Sequence, residues 1–416
     1  MRCSHLAVAL ASSLLVSAPG TQTWQAPPAN VRADVGKLAP ALQQAMNSGR
    51  LEQVDAVVAQ MRQALGQWAG HTEVETKYEK PIDRRSPPSL SEVRVGWTSL
   101  FSATEVLYKG NGRWGNGSLA PLRESCYILL GYSDAAKAGA GDEVMLRQRI
   151  REGLNYLLTV QATNGVFPFP DLRGKDPFFG PMLEQYASQH PDAIQDGWLI
   201  RDDNDGGLQF DNGVCGNAML EGYNLLHERK YLESALRAAD WAAAHPLVAN
   251  FNYNSFSVWL LAAIFQETHE RRYLDSALQK ARLGVLPGEM ENGRWLDPHN
   301  ARPAYHWIMV RALLELYVNL PHGDAFRTQL RRSLFSAIDN GAGEIVDHGA
   351  PSLETPLAVL PLACEMEGAK PEWTVALNGL INEVFFKAQN DPRKIAGISP
   401  YSYGSYLLFR TREGGD

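Results

Sequence analysis

Apolar residues recur at helical spacing along most of the chain, and in one region the arrangement occurs twice. Tyr231, Leu232, Ala235, Leu236 and Ala239 are matched by Tyr273, Leu274, Ala277, Leu278 and Ala281, each 42 residues on (273 − 231 = 42). This spacing collects them on one face of a helix. The flanking residues repeat as well: His227-Glu228-Arg229-Lys230-Tyr231-Leu232-Glu233-Ser234-Ala235-Leu236 returns as His269-Glu270-Arg271-Arg272-Tyr273-Leu274-Asp275-Ser276-Ala277-Leu278. A second apolar helical run stands before each copy, Ala218 to Leu226 and Val258 to Phe265. A fixed period of this size marks one supersecondary unit copied and stacked, and the unit is a helical hairpin.

From about Ser91 onward, helical runs are predicted near 93–108, 119–132, 142–161, 213–227, 230–244, 254–268, 271–285, 303–319, 324–340, 355–367, 371–389 and 401–410. Gly-, Asn- and Asp-rich loops separate them, and Thr355-Pro356 supplies a cap followed by proline at the first helical position. Strict period-2 alternation is essentially missing. Eleven or twelve helices suit six hairpins. An open solenoid needs polar caps at both ends. The last segment, Ile398 to Phe409, is instead rich in aromatics and wants a partner face. The expected fold is therefore all-α: a closed (α/α)6 toroid of helical hairpins over 91–416. Before it, 27–90 reads as a short helical N-terminal arm (Val35 to Met46, Leu51 to Trp68) and a linker with Pro81, Pro87 and Pro88.

The N-terminus changes the picture. Arg2, the apolar run Leu6 to Val16, and small residues at Ser17, Ala18 and Gly20 read as a signal peptide over 1–26. That run is too short to span a bilayer, and no other stretch approaches 18 apolar residues. A secreted or periplasmic, monomeric protein without a membrane span is expected. The net charge of −7 and pI near 5.9 leave no basic stripe, which argues against nucleic acid as a partner. Without Cys3, the odd set Cys126, Cys215 and Cys364 permits at most one disulfide, and each cysteine sits in an apolar helical context that suits a small buried side chain.

In such a toroid the first helix of each hairpin faces the axis, and the loops before those helices ring one mouth. The richest loop runs from Gln161 to Asn217, with Asn164-Gly165-Val166-Phe167-Pro168-Phe169-Pro170-Asp171 at its start and Leu208-Gln209-Phe210-Asp211-Asn212-Gly213 at its end. "YLLTVQATNGVFPFPD" followed by "LQFDNGVCGNAMLEGYNLL" resembles the Q-x-x-N-G-G-[WF]-P and [TQ]-F-[ND]-D/N-x-x-x-x-x-A-M pattern of (α/α) toroid carbohydrate enzymes. Within the six-hairpin glycosidase-like group, the likeness is to family 10 pectate lyases in particular and spans about 120–285. The resemblance implies an oligo- or polysaccharide substrate. Val166 and Phe167 stand where the usual N-G-G-W has its second glycine and its tryptophan, which leaves the sugar itself open. Phe167 and Phe169 are candidate sugar platforms, with Trp97 and Trp114 nearer the start of the ring.

Asp202, Asp203, Asp205 and Asp211 lie within ten residues. Asp203-x-Asp205-Gly206 is half of a calcium-type loop, so Asp202, Asp203 and Asp205 are candidate Ca²⁺ ligands, although Arg201 stands where an EF-hand has its first ligand. The same string also reads as a solvated turn. Asn212 aligns with Asn254 at the 42-residue offset, and both suit N-caps. Asp211 and Tyr253 would then reach the mouth as proton donors or acceptors. The third hairpin opens Asp297-Pro298-His299-Asn300-Ala301-Arg302-Pro303-Ala304-Tyr305-His306-Trp307. Arg302 suits a uronate carboxylate, Trp307 a pyranose face, and Tyr305 and His306 a proton transfer. Arg94, Arg113, Asp347, His348 and Glu354 are further contributors.

Two reactions fit these groups. A lyase would use Arg302 with Tyr305, His306 or Tyr253 to remove the proton beside a uronate carboxylate, with or without calcium. A glycoside hydrolase would use Asp211 with one of Asp203, Asp205, Asp347 or Glu354 as the second carboxylate. The basic and aromatic cluster favours β-elimination. A non-catalytic glycan- or protein-binding toroid stays as the third reading.

Overall fold

The computed structural model describes residues 27–70, 82–115, 119–202, 206–349, 354–390 and 398–414. Numbered in chain order, α1 (Ala29–Asn47) and α2 (Leu51–Leu65) form an N-terminal hairpin. Next come α3 (Leu90–Glu105), α4 (Pro121–Lys137) and α5 (Glu143–Val160). An insertion carries β1 (Phe169–Pro170), α6 (Phe179–Gln189), β2 (Ile194–Gln195) and β3 (Trp198–Leu199). The chain continues through α7 (Gly207–Leu226), α8 (Arg229–Ala244), α9 (Phe251–Thr268) and α10 (Arg271–Gly284). It ends with α11 (Pro303–Asn319), α12 (Ala325–His348), α13 (Glu354–Glu367), α14 (Pro371–Asn390) and α15 (Pro400–Glu413).

Helices α4, α7, α9, α11, α13 and α15 pack each on the next, and α15 packs back on α4. The ring is closed. Helices α5, α8, α10, α12 and α14 back the first five inner helices, and α3 backs α15. The sixth hairpin is thus assembled from the two ends of the ring-forming chain. Burial follows the layers. In α9 every residue from Phe251 to Ala262 is buried, as suits a helix enclosed on all sides. The outer α8 and α10 bury one stripe each, including Tyr231, Ala235 and Ala239, and Tyr273, Ala277 and Ala281.

The near-verbatim repeat is the turn that joins inner to outer helix. His227 and His269 take left-handed φ of 57° and 56°, and their amides donate to Tyr223 O at 2.7 Å and Phe265 O at 2.8 Å. Each imidazole stands edge-on to the ring of that same residue, Tyr223 or Phe265. Histidine is among the few side chains enriched in this backbone region.

Closure depends on a glycine pair. A Cβ at Gly131 of α4 would lie 2.2 Å from the Pro400 carbonyl carbon, and one at Gly404 of α15 would lie 2.6 Å from Gly131 O. Hydrogen bonds flank the seam: Tyr403 Oη donates to Val93 O at 3.0 Å and Ser405 Oγ to Asp134 Oδ2 at 2.7 Å. The aromatic C-terminal segment therefore does find its partner face.

The insertion has its own core of Val166, Phe169, Leu172, Phe179, Leu183, Tyr186 and Leu199 beside Ala120 and Leu208. Its three-stranded antiparallel sheet has the order β1-β3-β2. The arm packs on the ring through Leu42, Met46, Val54, Val58 and Met61, which join the main core. Asn47 bonds Leu247 in both directions, and Gly70 N donates to Leu296 O at 2.8 Å. Cys126, Cys215 and Cys364 are buried free thiols, the first two 2.7 Å apart between α4 and α7. Among the described residues no helix is long and apolar enough to cross a membrane.

Candidate functional site

The mouth formed by the N-terminal ends of the inner helices gathers the chemistry. Arg123, in the first turn of α4, meets Asp211, in the second turn of α7: Nη2 donates to Oδ2 at 2.7 Å and Nε to Oδ1 at 3.2 Å. Both are buried, at 5% and 1% exposure. Burial pushes the Asp211 carboxyl up, while the charge and hydrogen bonds of Arg123 pull it down. The guanidinium lies 3.4 Å from the Phe210 ring centroid, and Phe210 stacks on Phe256 at 3.9 Å. Arg123 Nη1 has no hydrogen-bond partner.

On the next element but one, Arg302 caps α11 and hydrogen-bonds the Tyr305 phenol through its side chain. Burial raises that phenol, and Arg302 and then Arg123 oppose the rise, so Tyr305 feels both guanidinium groups. The His299 ring stacks on Tyr305 at 4.4 Å between centroids. Burial lowers His299 to about 4, against the opposing charge of Asp297, and keeps the imidazole neutral near pH 7. Its Nε2 has no partner. The loop holding it is fixed by a chain of amides. Asn300 donates to Asp297 from its backbone (3.0 Å) and side chain (2.7 Å), and accepts at Oδ1 from Asn252 N (3.1 Å) and Nδ2 (2.8 Å).

Of the residues expected from sequence, the structure brings Asp211, Arg302 and Tyr305 to this mouth. His306 turns outward instead. Its Nε2 lies 3.2 Å from Ala337 O of α12, and its ring stands between Trp295 and Trp307. Trp307 is likewise buried at the α11–α12 contact, against Gly341. Successive residues on an α-helix point about 100° apart, so Tyr305 and His306 cannot share the axis.

Trp97 is fully buried on outer helix α3, against Tyr132 and Tyr403, and Trp114 packs on Tyr108 and Tyr132. Neither lies at the mouth. Phe169 belongs to the core of the insertion, and Phe167 is fully buried, its amide donating to Asn212 Oδ1 at 3.1 Å. Asn212 and Asn254 are not caps, because their helices begin several residues earlier. Each bridges instead: Asn212 Nδ2 donates to Ala238 O at 2.9 Å and Asn254 Nδ2 to Gly284 O at 2.8 Å, while their Oδ1 atoms accept loop amides. Tyr253 is buried beside Gly206. Arg94 bonds Ala138 O and Gly139 O, past the far end of α4.

Asp203 and Asp205 lie outside the described residues, as do the side chains of His348 and Glu354. Asp202 is engaged by the Leu208 amide at 3.3 Å and His245 Nε2 at 3.2 Å. Among the described residues no three His, Cys, Asp or Glu side chains gather as a metal site would require. The calcium expectation turns on Asp203 and Asp205, which lie outside the described residues.

Sequence reasoning missed Arg123 and passed over His299. Arg123 follows Ala120-Pro121, a helix start, and so was readable as a mouth residue. His299 stood within the named cluster, but nothing in its spacing marks the stack on Tyr305.

No protein-family model matches the chain, and no curated protein matches it in sequence. Solved structures do match in fold. A glycosyl hydrolase family 88 protein from Bacteroides vulgatus aligns with a TM-score of 0.52 at 10% identity, covering 78% of this chain and 99% of its own. A polysaccharide lyase aligns with a TM-score of 0.50 at 11% identity, covering 78% and 97%. The chain thus has the fold of the six-hairpin glycosidase-like toroids, and its structural neighbours are carbohydrate-active lyases and hydrolases.

Proposed function

We propose that this chain is a polysaccharide lyase that cleaves a uronate-containing glycan by β-elimination at the N-terminal mouth. The observation that carries the reading is the stacked His299–Tyr305 pair, with Arg302 bonded to the phenol. A neutral imidazole whose buried Nε2 has no hydrogen-bond partner keeps a lone pair free to take the proton beside the uronate carboxylate. Arg302 and Arg123 would neutralise the charge that develops on that carboxylate as the proton leaves. The Tyr305 hydroxyl, kept protonated by burial, would donate its proton to the departing glycosidic oxygen as the C–O bond breaks. Asp211 would position Arg123. Export, read from residues 1–26, would place the enzyme where polymers are met. The fold neighbours, which include a lyase, agree with this reading and do not fix it.

A second reading rests on Asp211, a carboxyl that burial raises, as the acid of a glycoside hydrolase. It needs a second carboxylate at the mouth, and Asp203, Asp205, Asp347 or Glu354 would have to supply it. Incubation with uronate polymers separates the two, because only the lyase forms products with a conjugated double bond. A fall in viscosity or rise in reducing ends without that absorbance overturns the lyase reading.

A further inference from the structure

The far end of the inner ring holds a second, differently built cavity of about 410 Å³. Its wall comes from the C-terminal halves of α4, α7, α9 and α11, closed by Tyr401 at the start of α15. Glu267 and Asn224, at its rim, are exposed. Inside stand Asp134, Glu221, Glu315, Arg311, Trp259 and Tyr401.

Arg311 is the unusual member. Its guanidinium lies 4.4 Å from the Trp259 ring centroid and 4.8 Å from that of Tyr401, and its Nε is buried without a hydrogen-bond partner. Tyr401 is 6% exposed and its hydroxyl is also unpartnered. Buried donors left unmade are costly, and native folds rarely keep them without a reason. The carboxylates are partly answered: Lys137 pairs with Glu221, Ser405 donates to Asp134, and Asn319 donates to Glu315 at 3.3 Å.

An occupant must therefore accept from Arg311 and Tyr401 while donating to Asp134, Glu221 and Glu315. An anion would answer Arg311 and face the carboxylates. An ammonium would answer the carboxylates and face Arg311. Hydroxyl groups do both, and the C–H face of a pyranose suits the Trp259 indole. We propose that this well binds a neutral sugar unit, at a site separate from the mouth where the reaction is placed. It does not depend on the chain being a lyase, because no residue of the well belongs to the Arg123–Asp211–Tyr305 group.

The test is calorimetric titration of the full chain with a panel of neutral mono- and disaccharides, with putrescine and galacturonate as charged probes. Saturable binding of at least one neutral sugar is expected, unchanged in Asp211→Asn. Binding should weaken about ten- to a hundred-fold in Arg311→Gln, which loses charge-assisted hydrogen bonds. Asp134→Asn, a milder change on the opposite wall, should also weaken it and guards against a folding defect in the first variant. No neutral sugar binding, binding of putrescine or galacturonate alone, or sugar binding that both well variants leave intact would each overturn the proposal.

Discussion

Arg123 and Asp211 lie 88 residues apart in sequence, yet join adjacent inner helices by two hydrogen bonds, at 2.7 and 3.2 Å. The pair is buried, so removing one partner leaves the other charge unpaired in a poorly solvated site. Arg123→Met or Asp211→Leu alone should cost about 3–5 kcal/mol of stability, and the double variant should cost clearly less than the sum. Thermal or denaturant unfolding of all four proteins checks this.

The closure seam gives a sharper structural test. Gly131→Ala would place a methyl 2.2 Å from the Pro400 backbone, where no flexible side chain can yield. A loss of at least about 1–3 kcal/mol is expected. Gly36→Ala, exposed on α1 with open space around its Cβ and an ordinary helical backbone, should cost nothing. Equal losses at the two sites would count against the α4–α15 contact.

His299 sets a pH dependence. Its folded value, about 4, lies below the ordinary 6.5 because burial disfavours the imidazolium. Between those values the unfolded chain binds more protons than the native one, so this contribution is intact above about pH 6.5 and lost as pH falls toward 4. The shift of roughly 2.5 units corresponds to about 3 kcal/mol at most. Unfolding free energies measured from pH 7 to 4 should fall more steeply for the wild type than for His299→Gln. Parallel curves would contradict the buried neutral imidazole.

The chemistry predicts its own variants. His299→Gln, Tyr305→Phe and Arg302→Ala should each lower formation of unsaturated product by on the order of 10²–10³-fold. Arg302 is half-buried and bonds the buried Tyr305 phenol, so its loss should also cost about 1–3 kcal/mol of stability. His306→Gln should behave oppositely, with turnover kept and stability reduced, because His306 contacts Ala337 and Trp295 rather than the axis. Chelator should leave activity unchanged if Asp202 to Asp205 form an ordinary turn, whereas loss restored by calcium would assign a metal to that loop.

How far the sequence could be read follows from what its periodicity records. The 42-residue repeat carried the hairpin, because a turn built on His227 or His269 needs the same neighbours each time it is used. The aromatic run Ile398 to Phe409 carried ring closure. Which face of each helix meets the axis was less legible. Tyr305 and His306 are both polar aromatics at a helix start, and only packing decides between them. Asp134, Arg311 and Glu315 were not legible at all, since polar residues on a helix ordinarily read as its solvated side. Closure turns that side inward. Asn212 and Asn254 matched in sequence because they do the same work, but that work is bridging layers, not capping.

The most direct test of the central claim is incubation of the purified chain with uronate-containing polysaccharides, followed by the ultraviolet absorbance of unsaturated products. The account predicts absorbance that rises with enzyme and time and is lost in His299→Gln and Tyr305→Phe. New reducing ends without that absorbance would contradict it in favour of hydrolysis at Asp211. No cleavage of any uronate or neutral glycan would leave a toroid that binds and does not cut.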